Sequence, residues 1–154
     1  MARKLYTINK NASIIYRLSQ IYFDAELSPY RIGCGQQFFL LRIYDFPGIS
    51  ILDLAQKGYF DKGTTARAVK KLEELGYVRR EIDENDRRIS RLYITEAACP
   101  VIETTISMLR DWNSILTDGF SAEEKAAAER MMDRMADNAF RAVKDRKRER
   151  EWTE

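Results

Sequence analysis

The stretch Asp86-Arg87-Arg88-Ile89-Ser90-Arg91-Leu92-Tyr93-Ile94-Thr95 decides how this chain is read. It sets three guanidinium groups within five residues, beside an acid at a polar turn, and then alternates into a strand. Val78 to Ile82 before it is also strand-like, and Asp83-Glu84-Asn85-Asp86 supplies the turn between the two. The returning strand is expected from Arg88 to Ile94, with Leu92 and Ile94 on one side. Arginines at a hairpin tip suit a narrow minor groove, where negative potential is enhanced. A neighbouring acid would hold a guanidinium extended and lower its ordering cost. A surface hairpin with weak ion pairs has the same composition, so the flanking sequence has to decide.

Immediately upstream, Asp61 can cap a helix in which Thr65, Ala68, Val69, Leu72 and Leu75 recur at helical spacing, and Gly76 ends it. The opposite face carries Gly63, Arg67, Lys70 and Lys71, with Lys62 and Thr64 near its N-terminal end. A helix N-terminus attracts phosphate through its free N–H groups and dipole. Arg, Lys and Thr are side chains that reach phosphates and base edges. Taken alone, such a face usually means a solvated helix, and Glu73 and Glu74 fit that meaning. Before it, Ser50-Ile51-Leu52-Asp53 approximates a capping box, opening a short helix from Ile51 to about Lys57, with a turn through Gly58. Two short helices across a tight turn, then a basic hairpin, predict a winged helix-turn-helix. Its helix would enter the major groove of duplex DNA and its wing the minor groove.

The fold class is therefore mainly α with a small β-hairpin wing. Residues 8–27 read as a helix, with Ile14, Leu18, Ile21 and Ala25 on one stripe and Pro29 as its stop. A second helix, Gln36 to Tyr44, is apolar almost all round and belongs in a core, before Pro47-Gly48 breaks it. Tyr30, Phe38, Phe39 and Tyr44 read as core, with an aromatic pocket as the alternative. Thr95 can cap a long helix bearing Ile102, Ile106, Leu109, Trp112 and Leu116, and Pro100 just inside it is expected to kink it. Asp118-Gly119 interrupts, and Ser121-Ala122-Glu123-Glu124 is a full capping box launching a last helix with Met131, Met135 and Phe140 on one side. A small winged domain cannot bury the terminal stripes alone. Packing against a second copy would bury them; an intrachain bundle is the other solution. The expected organisation is 1–33 as a dimerisation helix and linker, 34–95 as the DNA-binding domain, and 96–154 as dimerisation helices with a basic tail.

At 154 residues the chain can bury a core without staples. The net charge of +2 says little, but its distribution says more. Residues 1–23 hold Arg3, Lys4, Lys10 and Arg17 with no acid, and the tail carries Arg141, Lys144, Arg146, Lys147, Arg148 and Arg150. Cys34 and Cys99 have neither metal-site spacing nor scaffold density, which points to a reducing cytoplasm. Cys34 and Cys99 read as two inert small residues; Arg31 just before Cys34 is a setting that lowers a thiol pKa, so redox sensing is one alternative. No signal peptide and no apolar run near the ~20 residues of a membrane span are found. The absence of histidine removes the commonest general base and metal ligand, and no phosphate loop or activated nucleophile replaces it. Neither an enzyme nor a cofactor or metal is expected.

The set Asp61-Lys62-Gly63-Thr64-Thr65-Ala66-Arg67, Leu72-Glu73-Glu74-Leu75-Gly76-Tyr77-Val78 and Asp86-Arg87-Arg88, with Leu92-Tyr93-Ile94-Thr95, resembles the MarR family of transcriptional regulators. The wing pattern of that family is filled by Asp86, Arg88, Leu92, Ile94 and Thr95, and Pro47-Gly48-Ile49-Ser50 with Leu54-Ala55 looks like the start of its helix-turn-helix. The chain departs from the pattern at Gly58-Tyr59, where relatives carry Leu-Gly. The likeness runs from about residue 8 to residue 143. It implies a homodimer on a palindromic operator, usually a repressor, and release of DNA by a small aromatic anion. By resemblance Arg88 enters the minor groove with Asp86 in support, while Lys62, Thr64, Arg67 and Lys71 face the major groove. Thr65, Arg87 and Arg91 complete the expected DNA-binding set. A winged-helix module that binds an acidic protein partner remains the second class; DNA binding that collapses with salt separates the two.

Overall fold

The computed structural model describes residues 7–151, with side chains to Asp145. The expected basic residues Arg3, Lys4, Arg146, Lys147, Arg148 and Arg150 therefore lie outside the described residues or side chains. The first compact unit ends at Trp112 and the second runs from Asn113.

In the first unit, α1 (Thr7–Leu27) leads through a 3-10 turn (Ser28–Tyr30) to α2 (Cys34–Asp45). A two-residue strand β1 (Ile49–Ser50), helix α3 (Ile51–Gly58), helix α4 (Lys62–Glu74) and strands β2 (Val78–Ile82) and β3 (Ser90–Ile94) follow. A second 3-10 turn (Glu96–Ala98) precedes α5 (Cys99–Leu116). The sheet has three antiparallel strands in the order β1-β3-β2, with Ile49 opposite Leu92 and Val78 opposite Ile94. The hairpin is thus a hairpin plus one short strand, and β1 was not expected. Two residues are too few for alternation to signal a strand; pairing with β3 makes it one.

The core is built where the apolar faces of α2 and α4 predicted it, whereas on α5 Val101, Thr105 and Met108 are buried with Ile102 and the expected Ile106 and Leu116 are exposed. Phe39, Leu40 and Ile43 of α2, Leu54 of α3, Val69 and Leu72 of α4, and Leu92 of β3 are almost fully buried together. Val101, Ile102 and Met108 of α5 join the same cluster. Burying each such side chain contributes about 1.5–3 kcal/mol. Phe23 and Leu27 are the buried residues of α1, and the Phe23 and Tyr22 rings pack on Trp112 at 5.9 and 5.1 Å. The α1 stripe is left open within the chain, as expected of terminal stripes that a small winged domain cannot bury alone: Leu18 and Ile21 are 51% and 68% exposed. The aromatic alternative resolves as core, because Phe38, Phe39 and Phe60 pack on one another with centroids 4.9–5.5 Å apart. Of the four aromatics named in the sequence, Tyr44 alone is exposed, and Phe60 is 42% exposed.

Local signals hold at the caps. Ser50 Oγ accepts the Asp53 N–H at 3.1 Å, and Asp61 Oδ1 accepts the Thr64 N–H at 2.8 Å. Gly76 closes α4 at φ 77°, in the left-handed conformation that favours glycine. Between α3 and α4, a Cβ on Gly58 would lie 2.5 Å from the Phe38 ring, so the side chain must be absent there. Tyr59 then takes the left-handed conformation at φ 58°. Two expectations need correcting. Thr95 does not cap α5; its hydroxyl donates to the Gly76 carbonyl at 2.5 Å, and a 3-10 turn intervenes. Pro100 consequently falls in the first turn of α5, where its missing N–H costs nothing, and it causes no interior break.

The second unit contains the end of α5 and α6 (Ala122–Glu151). The capping box at its start is complete: Ser121 N–H donates to Glu124 Oε2 at 2.8 Å and Glu124 N–H to Ser121 Oγ at 3.2 Å. Met131, Met132 and Met135 are exposed along α6. Among the described residues no helix is long and apolar enough to cross a membrane.

Candidate nucleic-acid interface

The outer face of α4 begins at its cap. Asp61 bonds both the N–H of Thr64 and, through Oδ2 at 2.6 Å, its hydroxyl, and these bonds hold the Asp61 carboxyl below its usual pKa. Thr64 Oγ1 in turn accepts Arg67 Nη2 at 3.1 Å, so the guanidinium is oriented by a short relay from the cap. Lys62 and Arg67 are exposed and Lys71 is half-buried on the same helix. Lys70 leans towards Glu74 at 3.9 Å. Glu73 is occupied by the fork of Arg80 on β2, with Nε–Oε1 3.0 Å and Nη2–Oε2 2.9 Å. The acid that argued for an ordinary solvated face is thereby neutralised by the wing.

The wing tip is organised by a residue that sequence reasoning passed over. Asp83 Oδ1 accepts the backbone N–H groups of Asn85 and Asp86 at 2.8 and 2.9 Å, and its Oδ2 accepts Arg91 Nε at 2.7 Å. The Asp86 N–H first, then Arg91, hold the Asp83 carboxyl below its usual range. Asp83 N–H donates to the Ile89 carbonyl at 2.9 Å and closes the loop at its base. Asp86 Oδ1 accepts the backbone N–H of Arg88 at 2.9 Å, so Asp86 fixes the arginine's main chain where a guanidinium contact was expected. Arg87 and Arg88 are exposed in this turn, since the strand starts at Ser90 and not at Arg88. Among the described residues no carboxylate lies within ion-pairing distance of Lys62, Arg67, Lys71, Arg87 or Arg88.

Comparison with known proteins agrees with this geometry. A sequence model of the MarR family matches residues 35–90. The HTH-type transcriptional regulator YybA of Bacillus subtilis (strain 168), itself described as uncharacterized, is 32% identical over 134 residues, covering 87% of this chain and 89% of that protein. The chain belongs to the MarR family. A MarR transcriptional regulator from Methanosarcina mazei Go1 shares its fold with a TM-score of 0.80 and 36% identity, over 88% of this chain and 98% of that one. A MarR variant from E. coli, solved in complex with operator DNA, has a TM-score of 0.75 at 21% identity, over 86% and 95% of the chains, and shares the fold. The protein is thus a DNA-binding transcriptional regulator of the MarR family and not an enzyme.

On this MarR scaffold the expected site residues fall into two clusters, with Thr65 and Arg91 outside both. Thr64, Arg67 and Lys71 recur at helical spacing along α4 with Lys62 at its first turn, and Asp86, Arg87 and Arg88 share the wing tip. Thr65 does not belong with them. It is fully buried and its hydroxyl donates to the Asp61 carbonyl at 3.0 Å, because its place on the apolar stripe turns it inward. Arg91 is drawn to the wing base: besides Asp83, its Nη1 donates to the Gly48 carbonyl at 3.3 Å and ties the hairpin to β1. The signal for Asp83 was present, as an aspartate opening a turn two residues before Asn85, an arrangement that favours side-chain bonds to the following N–H groups. The signal for Arg80 was not, because its partner lies seven residues away on another element.

At Cys34 the premise of the redox alternative is reversed. Burial first, and then the Asp24 carboxylate, raise the Cys34 thiol above its ordinary pKa. Asp24 Oδ1 accepts the Cys34 N–H at 2.8 Å, so an acid acts on this residue where a base was expected to. Cys99 is exposed in the first turn of α5.

Proposed function

We propose that this regulator is a homodimeric repressor of a palindromic operator, released from DNA by a small aromatic anion. Lys62, Thr64, Arg67 and Lys71 of each protomer would meet the major groove, and Arg88, with Arg87 beside it, the minor groove. The observation that carries the reading is the charge pattern. Arg87 and Arg88 carry no carboxylate partner among the described residues, on a turn whose backbone Asp83 and Asp86 hold in place. Paired charges such as Arg80 and Arg91 are spent internally; unpaired ones on an ordered loop are available to phosphate. An E. coli relative of the same fold was solved with operator DNA, which supports the direction of the reading.

Dimerisation is supported by exposed Leu18 and Ile21 on α1, and by Met131 and Met135 on α6. The palindrome follows, because a two-fold protein reads a two-fold site, with half-sites about 10 base pairs apart or a multiple. The effector rests on the family resemblance alone, and a ligand shifts DNA affinity only by its differential affinity for the two states. The test begins with duplexes selected by the purified protein from a random pool. Two-fold symmetric sequences bound by a sedimenting dimer, with affinity falling steeply as salt rises, are expected. A stable monomer at micromolar concentration, or binding indifferent to salt, would sink the proposal.

A further inference from the structure

The C-terminal end of α4 is held by a polar chain that the DNA-facing residues do not explain. Tyr77 is tied to the end of α4 by the turn that closes it: its N–H donates to the Leu72 carbonyl at 2.9 Å and the Gly76 N–H to the Glu73 carbonyl at 2.9 Å. Its hydroxyl donates to the Tyr30 carbonyl at 3.1 Å, across 47 residues of sequence. The Tyr30 hydroxyl shares a bond of 2.8 Å with Thr104 Oγ1 on α5, across 74 residues. Tyr30 itself is fixed in a 3-10 turn closed by Arg31, left-handed at φ 60°, whose N–H donates to the Ser28 carbonyl at 3.0 Å. One residue therefore links α4 to α5 through its own hydroxyl and its own carbonyl.

We propose that Tyr30 is a positioning residue that sets the angle of α4 against α5, and with it the half-site spacing the dimer accepts. The inference rests on the dimeric DNA-binding reading above. Apolar burial is non-directional, so by itself it does not single out one orientation of a hydrogen-bonded pair of helices. Hydrogen bonds are directional, weakening steeply away from linearity, so a bonded chain across two helices selects one relative orientation. On α5, Ile106 lies two residues beyond Thr104, about 200° round the helix from it, and is 40% exposed, so the tethered segment turns an apolar residue outward, where a second copy would cover it. A change in the angle at Tyr30 would move both recognition helices symmetrically and alter their separation on DNA. Neither Tyr30 nor Thr104 is fully buried, so isosteric variants leave the core intact.

The experiment compares the wild-type protein with Tyr30→Phe and Thr104→Val. Each binds an isolated half-site, the selected operator, and that operator respaced by one and two base pairs. Both variants are expected to keep half-site affinity within about twofold while losing about fivefold of the discrimination between correct and altered spacing, the fold-change set by one net hydrogen bond. Wild-type spacing discrimination in both variants would overturn the proposal. So would a proportional loss on half-site and full operator, or unfolding of both variants, since each marks a merely structural role. A wild-type protein indifferent to spacing would instead refute the dimeric reading itself, and the inference with it.

Discussion

Replacing Arg88 by alanine tests the charge argument quantitatively. Five cations per protomer on the proposed reading surface, Lys62, Arg67, Lys71, Arg87 and Arg88, lack a carboxylate partner among the described residues. In a dimer these make about ten, which caps the log–log salt slope near −9 at about 0.9 per phosphate neutralised. Arg88→Ala removes two of them, so the slope should flatten by about 1.8. Between roughly 50 and 200 mM salt, a fourfold range, the variant should then lose about tenfold less affinity than the wild type loses. Its fold should be unaffected, because the side chain is exposed and the turn is held by backbone bonds to Asp83 and Asp86. Fluorescence anisotropy on the selected operator across a salt series gives the slopes directly. Arg110→Ala, an exposed arginine on α5 away from both basic clusters in the sequence, is the control and should match the wild type. Equal slopes for Arg88→Ala and Arg110→Ala, both folded and dimeric, would refute the reasoning.

Asp83→Ala should speed amide exchange at Asn85 and Asp86 and weaken operator binding while the α4 amides stay protected; unchanged exchange in the wing would remove Asp83 from its role. The Asp83 carboxyl is held below its ordinary pKa, so what it contributes is complete above the unfolded value and is lost as pH falls through the lower folded one. Wing protection should therefore survive at a pH near 4, where free carboxylates half-titrate, and fail only in stronger acid. Thr65→Val leaves the Asp61 carbonyl without that hydroxyl and should cost about 1 kcal/mol in urea unfolding, with operator affinity preserved under stable conditions. A large affinity loss without a stability change would return Thr65 to the reading surface. The raised Cys34 thiol should react with an alkylating reagent at neutral pH more slowly than a free thiol, and Cys34→Ser should leave any peroxide sensitivity of DNA binding unchanged. Faster alkylation at Cys34 would contradict the part played by Asp24.

What the sequence determined was everything that depends on residues close together in it. The caps at Ser50, Asp61 and Ser121, the stop at Gly76 and the buried stripe of α4 follow from spacings of three or four residues, which helical geometry turns directly into contacts. The winged helix-turn-helix was legible for that reason, and so were the basic helix face and the arginine pair at the wing tip. Tertiary structure decided the rest. Two residues become β1 only because β3 lies beside them, and Thr95 gives up its cap to reach Gly76 nineteen residues back. It also sorted the cations: Arg80 is consumed by Glu73 and Arg91 by Asp83 and Gly48, while Arg87 and Arg88 are left outward. Composition counts all of these arginines alike. Electrostatic availability depends on which carboxylate the fold brings within reach, a property of distances through space that local spacing does not encode. For Cys34 the same rule reversed the expectation, since Arg31 is nearer in sequence but Asp24 is the group whose carboxylate meets it.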